Sequence, residues 1–521
     1  MAAGDLAERG GEDRGPVSAS TPYRPWPDLQ APARQSVELP PEELHPAAQA
    51  LLAHGYRLAL ACAIDGKPGL RAVYLFTAGP PDRRVELVVR LDDDRPRVPS
   101  LASLSFPAGR FEREMKDMYG IEPVGHPLPR RLVLHQHWPD GWHPMRRDAG
   151  PPPEMVDEAA PYPFVQVQGP GVYEIPVGPV HAGLIEPGHF RFSVVGETIL
   201  KMKARLWFLH KGVEKLFEGR EVRSAIELAE RISGDTAVGH GLTYCLAVEE
   251  ATGTEVPARA AELRMILLEL ERIYNHVADV GAMCNDVGFG IVHAKALTLR
   301  ERLLRLNSTV TGHRLLRGGV RLAGAKVAKL PTPEELESIG AQFHELVDIA
   351  LGQGIVVDRF TGTGALSPAD AEAIGVLGVV ARASGSCFDA RNAHPLVAGP
   401  DGFAPAGAAS GDVLGRFQTR VAEVDQSLGL LSDLCGRPGP LEAEGVLRQA
   451  AGSGSGLAEG WRGTIAHRAE VDELGRLTRM KVVDPSFFNW PALAVALRDT
   501  IVPDFPLVNK SFNLSYAGND L

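Results

Sequence analysis

Phe111-Glu112-Arg113-Glu114-Met115-Lys116-Asp117-Met118-Tyr119-Gly120-Ile121 is the stretch on which the reading of this chain turns, with Gly125-His126-Pro127 and Arg130-Arg131-Leu132 close behind it. Its apolar spacing predicts an amphipathic helix. Gly120 ends that helix, because glycine enters the left-handed backbone region without a steric penalty. A turn follows, then a polar tail through Trp138 to His143-Pro144-Met145-Arg146-Arg147-Asp148. On local pattern alone this is a surface helix and loop.

Outward from it, Tyr56–Ala63 and Val85–Leu91 read as strands, and residues 36–148 as a compact α/β domain with flanking helices. Residues 1–35 lack apolar periodicity and read as a disordered leader. Residues 149–170, with Pro151-Pro152-Pro153 and Gly169-Pro170, suit a linker or embracing loop. The remainder, 171–521, opens with a small β patch and becomes mostly helical. Helices are expected at 258–280 after Pro257, at 294–316, and at 333–351 after Pro331 and Pro333. The Gly/Ala/Pro-rich stretch 398–411 reads as a surface insertion. The fold class is α+β.

Bulk properties narrow the function. A chain of 521 residues supports two or more sizeable cores, and a net charge of -11 gives no support to nucleic-acid binding. The five cysteines (Cys62, Cys245, Cys284, Cys387 and Cys435) are dispersed and form no C-x-x-C pair. That excludes metal-ligand spacing and fits a reducing compartment. No signal-peptide h-region and no run of about 18 apolar residues are present.

Taken whole, the string from Phe111 to Asp148 resembles the signature of the hydrophilic, iron–sulfur-free subunit of respiratory complex I. A second set of segments comprises Gly178-Pro179-Val180-His181, Glu186-Pro187-Gly188-His189-Phe190-Arg191-Phe192, His210-Lys211-Gly212-Val213-Glu214-Lys215 and Leu267–His276. These resemble the large subunit of membrane-bound, energy-converting [NiFe] hydrogenases of the formate hydrogenlyase type, and the quinone-site subunit of complex I. The resemblance implies a peripheral subunit on the cytoplasmic face of the membrane. It also implies two kinds of partner, a small subunit carrying a [4Fe-4S] cluster and antiporter-like membrane subunits. NAD, if used, would bind elsewhere in the complex.

The chain departs from that family where the chemistry sits. In Glu230-Arg231-Ile232-Ser233-Gly234-Asp235-Thr236 and Asp484-Pro485-Ser486-Phe487-Phe488-Asn489, the four thiolate positions carry Ser233, Thr236, Ser486 and Asn489. Neutral hydroxyls and an amide cannot replace bridging thiolates, so no nickel–iron centre is expected. Ser233 reads instead as a helix cap and Asp484 as the opening of a turn before Pro485. The quinone-contacting tyrosine of complex I falls at about Gly234, while His189 could stand for the histidine. Tyr244 reads as core. Glu186 resembles the hydrogenase proton-relay glutamate. Glu186, His189 and His240, with His181, Glu214 and Glu249, form the candidate proton path or acceptor cavity. The nine Lys/Arg between Lys295 and Lys329, against Glu301 alone, read as a solvated basic face or a docking face for an acidic partner. Two roles remain open: a redox-complex subunit that passes electrons to quinone or another acceptor, and a non-catalytic conformational adaptor.

Overall fold

The computed structural model describes residues 34–156, 162–397 and 403–521. The first strand, Arg34–Leu39, begins inside the stretch read as a leader; the rest of that leader, like 398–402 of the expected insertion, lies outside the described residues. This strand pairs parallel to Arg83–Arg90, which is followed across the sheet by Gly69–Ala78 and Arg57–Gly66. The inner pairs are antiparallel, with Val73 opposite both Cys62 and Val88. Gly69–Ala78 is buried along nearly its whole length, so both faces of the sheet are covered.

The helix Phe106–Tyr119 is ended by Gly120 at φ +74°, as the sequence indicates. It is not a surface helix: Phe111, Met115, Met118 and Tyr119 are buried, and so are Glu112 and Asp117. Its charged residues explain how that is tolerated. Asp117 accepts from the backbone N–H groups of Leu132, Val133 and Leu134 at 2.7, 2.8 and 3.2 Å. Arg113 donates to the carbonyls of Arg130 and Arg131. Glu112 accepts from Ser100 Oγ and Leu101 N–H, each at 2.6 Å. The polar string thus folds its own downstream tail onto the helix.

The second half begins with an antiparallel sheet of Val172–Val177, His189–Val195 and Thr198–Arg205. Long helices follow at Ala258–Asp286, Gly290–Thr311, Pro333–Leu351 and Val413–Gly436. A second antiparallel sheet, Gly452–Gly460, Gly463–Val471 and Leu477–Val483, has no counterpart in the sequence reading. The helix Ala237–Thr252 lies directly on it. A Cβ added at Gly452, Gly454 or Gly456 would stand 2.2, 2.2 and 2.1 Å from the carbonyl oxygens of Ala251, Ala247 and Thr243. Alternate glycines on a strand match successive turns of the helix, which is why helix and sheet backbones come this close.

Buried and half-buried ion pairs join the halves. Arg468 donates to Glu86 at 2.8 and 3.0 Å, and Arg71 to Glu470 at 2.6 and 2.7 Å. Arg84 reaches Glu250 at 2.6 Å, and Lys481 reaches Glu114 at 2.5 Å. The basic stretch finds its acids within the chain: Lys295 pairs with Glu345, Arg305 and Arg314 with Glu301, Arg321 and Lys326 with Glu442, and Lys329 with Glu335. Six of the nine cations thus share four carboxylates, so the stretch keeps a net positive charge.

Candidate functional site

The site forms where the N-terminal end of Ala237–Thr252 meets the central strand of the second sheet. Gly456 and His467 are cross-strand partners, so His467 shares the helix-facing side that the glycines keep open. There His467 Nε2 lies 3.0 Å from His240 Nδ1, with the rings stacked at 5.3 Å. His240 Nε2 lies 3.1 Å from Asp484 Oδ2. All three side chains are essentially sealed from solvent. With neutral rings, Asp484 accepts from His240 Nε2–H and His240 Nδ1 accepts from His467 Nε2–H. That assignment leaves His467 Nδ1 as a buried acceptor without a partner. Burial, and then the neighbouring His240, holds His467 well below the ordinary histidine range. Burial pushes Asp484 up, but the His240 contact and the Arg462 charge outweigh it and keep the carboxyl below its usual range. Asp484 also lines a cavity of about 90 Å³ together with Glu114, Glu214, Lys481 and Asp520.

Ser233, Thr236, Ser486 and Asn489, the positions that the family resemblance singles out, are each engaged in protein hydrogen bonds. Ser233 Oγ donates to Asp235 Oδ1 at 2.9 Å and meets Ser515 Oγ at 2.9 Å. Thr236 Oγ1 donates to Asp235 Oδ1 at 2.9 Å and accepts from Trp461 Nε1 at 3.1 Å. Ser486 Oγ accepts from Ser515 N–H at 2.9 Å. Asn489 is bound at both amide ends to the Leu377 backbone, at 2.8 and 3.1 Å. Arg462 donates to both Asp235 oxygens at 2.8 and 2.6 Å and stacks 3.8 Å over the Trp461 ring. Burial pushes Asp235 up, yet the guanidinium holds it well below the ordinary carboxylate range.

A nickel–iron centre does not fit this donor set. Hydroxyl and amide groups are weak, neutral ligands for it, and theirs are spent on internal bonds beside a fixed cation. Among the described residues, no group of three or more His, Cys, Asp or Glu side chains is placed to hold a metal ion.

The structure brings together some of the sequence candidates and separates others. His240 is at the centre. Glu186 is not bonded to it; its carboxylate accepts from Ala517 N–H at 3.0 Å on the short helix Tyr516–Asp520. That helix packs Gly518 against Asp484. His189 and His181 bond to the carbonyls of Gly178 and Gly188 inside their own hairpin. Glu214 is clamped by Arg479 and Lys481, and Glu249 by Arg264 and Ala323 N–H. Tyr244 is core, its hydroxyl donating to Val222 O at 2.7 Å. Gly234 is exposed, and a Cβ added there would meet open space. Asp484, read as the opening of a turn, caps the helix Pro485–Ala496 through Ser486 N–H, whereas Ser233 caps nothing. The helix N-terminus above Ser233 is served instead by Glu271, which accepts from Val238 and Gly239 N–H at 2.7 and 2.9 Å. Burial drives the Glu271 carboxyl up to about 8. His467, Trp461, Arg462 and Glu271 escaped the sequence reading, since each is distant in the chain and carries no local motif.

Residues 37–154 match the family model described as respiratory-chain NADH dehydrogenase, 30 Kd subunit, and residues 286–446 that of the 49 Kd subunit. Residues 211–280 match the model for nickel-dependent hydrogenase. Formate hydrogenlyase subunit 5 of Escherichia coli (strain K12) is 34% identical, over 83% of this chain and 78% of the relative. Hydrogenase-4 component G of the same strain is 33% identical, over 87% and 81%. A chain in the structure of the membrane-bound sulfane sulfur reductase, an archaeal respiratory membrane complex, aligns with a TM-score of 0.62 at 24% identity, covering 67% of this chain and 99% of that one. The last of these speaks for the fold alone. On the strength of the sequence relatives, this chain belongs to the family of formate hydrogenlyase subunit 5, in which regions like the 30 Kd and 49 Kd subunits of respiratory NADH dehydrogenase are joined in one polypeptide.

Proposed function

We propose that this chain is a peripheral subunit of a membrane-bound oxidoreductase complex related to NADH–quinone oxidoreductase and energy-converting hydrogenase, and that it serves there without a nickel–iron centre of its own. Electron transfer in the complex is coupled to ion translocation, and this chain's part is to move charge inside the protein. The observation that carries the reading is the pair of facts at the site. Ser233, Thr236, Ser486 and Asn489 are consumed by hydrogen bonds, while Asp484, His240 and His467 form an unbroken buried chain.

That chain is suited to displacing a proton. When His240 takes up a second proton, both its nitrogens become donors. His467 Nε2 must then accept, and its own proton must sit on Nδ1, which has no partner. The shift turns an idle buried acceptor into an idle buried donor, and the cavity at Asp484, which Glu114, Glu214, Lys481 and Asp520 also line, lies beside the chain.

No described helix is long and apolar enough to cross a membrane, so membrane contact would come through partners. The loop before the strand His189–Val195 exposes Val180, Leu184 and Ile185 at 85%, 102% and 55%. It offers a seat for a small iron–sulfur subunit bearing the [4Fe-4S] cluster, with antiporter-like membrane subunits beyond and the assembly on the cytoplasmic side. Quinone is the acceptor class this placement suits. The filled ligand positions also favour a second reading, a conformational adaptor that conducts no chemistry.

The test is a tagged purification from gently solubilised membranes, with the co-purifying subunits identified by mass spectrometry. Recovery of an iron–sulfur protein and antiporter-like subunits is expected. Recovery of the chain alone from the soluble fraction would overturn the proposal.

A further inference from the structure

A cleft of about 820 Å³, whose lining does not include His240, His467 or Asp484, opens between the N-terminal sheet and the segment 368–388. Its volume is that of a small-molecule site rather than a packing defect. The wall is largely apolar, with Leu58, Leu104, Phe106, Leu377 and Phe488 contributing, and Phe106 is 46% exposed. Polar side chains also line the cleft, Arg57 and Ser384 among them. Arg57 lays its guanidinium over the Phe388 ring at 4.0 Å, and its Nε and Nη2 are buried without a hydrogen-bond partner. Ser384, 2% exposed, likewise has an unpartnered hydroxyl. Burial lowers the Arg57 pKa to about 10, against the opposing pull of the Glu459 charge.

Several buried arginines elsewhere in this protein find carboxylates, although Arg110 and Arg416 make no ion pair among the described residues. Arg382 meets Glu423 and Glu459, Arg468 meets Glu86, and Arg264 meets Glu249. A desolvated guanidinium with two idle donors costs stability unless something supplies the missing acceptor. Glu372, the one carboxylate on the cleft wall, is exposed and makes no ion pair with Arg57.

We propose that this cleft binds an amphiphile with an anionic head and an apolar body, its carboxylate or phosphate oxygens accepting from Arg57 and Ser384 and its chain lying along the apolar wall. Planar, forked donors suit a two-oxygen anion, and the apolar lining rejects a bare inorganic one. A free fatty acid and a membrane phospholipid share this chemistry.

The full chain is titrated with dodecanoate, with dodecanol as the neutral counterpart, and with vesicles of phosphatidylglycerol. Saturable one-to-one binding of dodecanoate, at least tenfold tighter than dodecanol, is expected. Arg57→Gln abolishes that difference and leaves dodecanol unchanged. Ala373→Trp, at an exposed position on the cleft wall, weakens both ligands without disturbing the core. Binding to the vesicles that is lost in both variants would assign the site to a phospholipid; binding of dodecanoate alone would assign it to a free acid. Equal dodecanoate binding by the wild type and by Arg57→Gln, with both folded by circular dichroism, would overturn the proposal. So would the absence of saturable binding to any of the three probes.

Discussion

Glu271 shows what one buried carboxyl does for this site. Its two oxygens take the first free N–H groups of the helix that carries His240, a place where a negative charge is favoured by the helix dipole. Burial nevertheless dominates and raises its pKa to about 8. A carboxyl raised in the folded state contributes stability that is complete below its unfolded pKa of about 4.5 and is lost as pH rises through the folded value. Between about pH 4.5 and 8, wild-type stability should therefore fall by up to a few kcal/mol from this group alone. Glu271→Gln should flatten that part of the curve. Urea denaturation across the range reads the difference, and parallel curves for the two proteins would contradict it.

At the scale of elements, the close fit of the helix Ala237–Thr252 on Gly452–Gly460 decides where His240 and His467 meet. The same sheet faces the N-terminal half on its other side, where Arg468 and Glu86 are each about 97–98% buried. Arg468→Met leaves Glu86 with Arg34 and Ser36 as its remaining partners. The single variant should lose at most about 3–5 kcal/mol, the cost of breaking a buried pair, because Arg34 at 3.3 Å compensates the remaining carboxylate only in part. Adding Glu86→Leu should recover most of the loss, since a packed apolar pair replaces the ions. A single variant within about 1 kcal/mol of wild type in chemical denaturation, well under the cost of an unpaired buried ion, would show that water reaches Glu86.

For the whole molecule, buried and half-buried ion pairs between the halves lie beside extensive apolar surface, and one hydrophobic core includes residues from Leu39 to Leu521. Two halves that share one core should unfold together. Calorimetry of the full chain should show a single transition with matching calorimetric and van't Hoff enthalpies. Two resolved transitions would mean that the N-terminal half melts on its own.

Much of this protein is written locally and could be read without a structure. The helix ended by Gly120, the strands at 56–63 and 85–91, the three long helices and the α+β class follow from periodicity and stop signals, which act over a few residues. That Ser233, Thr236, Ser486 and Asn489 carry no sulfur is equally plain, because it is a matter of which atoms the side chains hold. Tertiary structure alone decided what they bond to. Ser515, Trp461 and Arg462 reach Ser233, Thr236 and Asp235 across more than 220 residues of chain. His467 becomes a partner of His240 only because glycines in a neighbouring strand let a helix approach. Hydrogen bonding and burial are properties of neighbours in space, and no local pattern in the sequence names those neighbours.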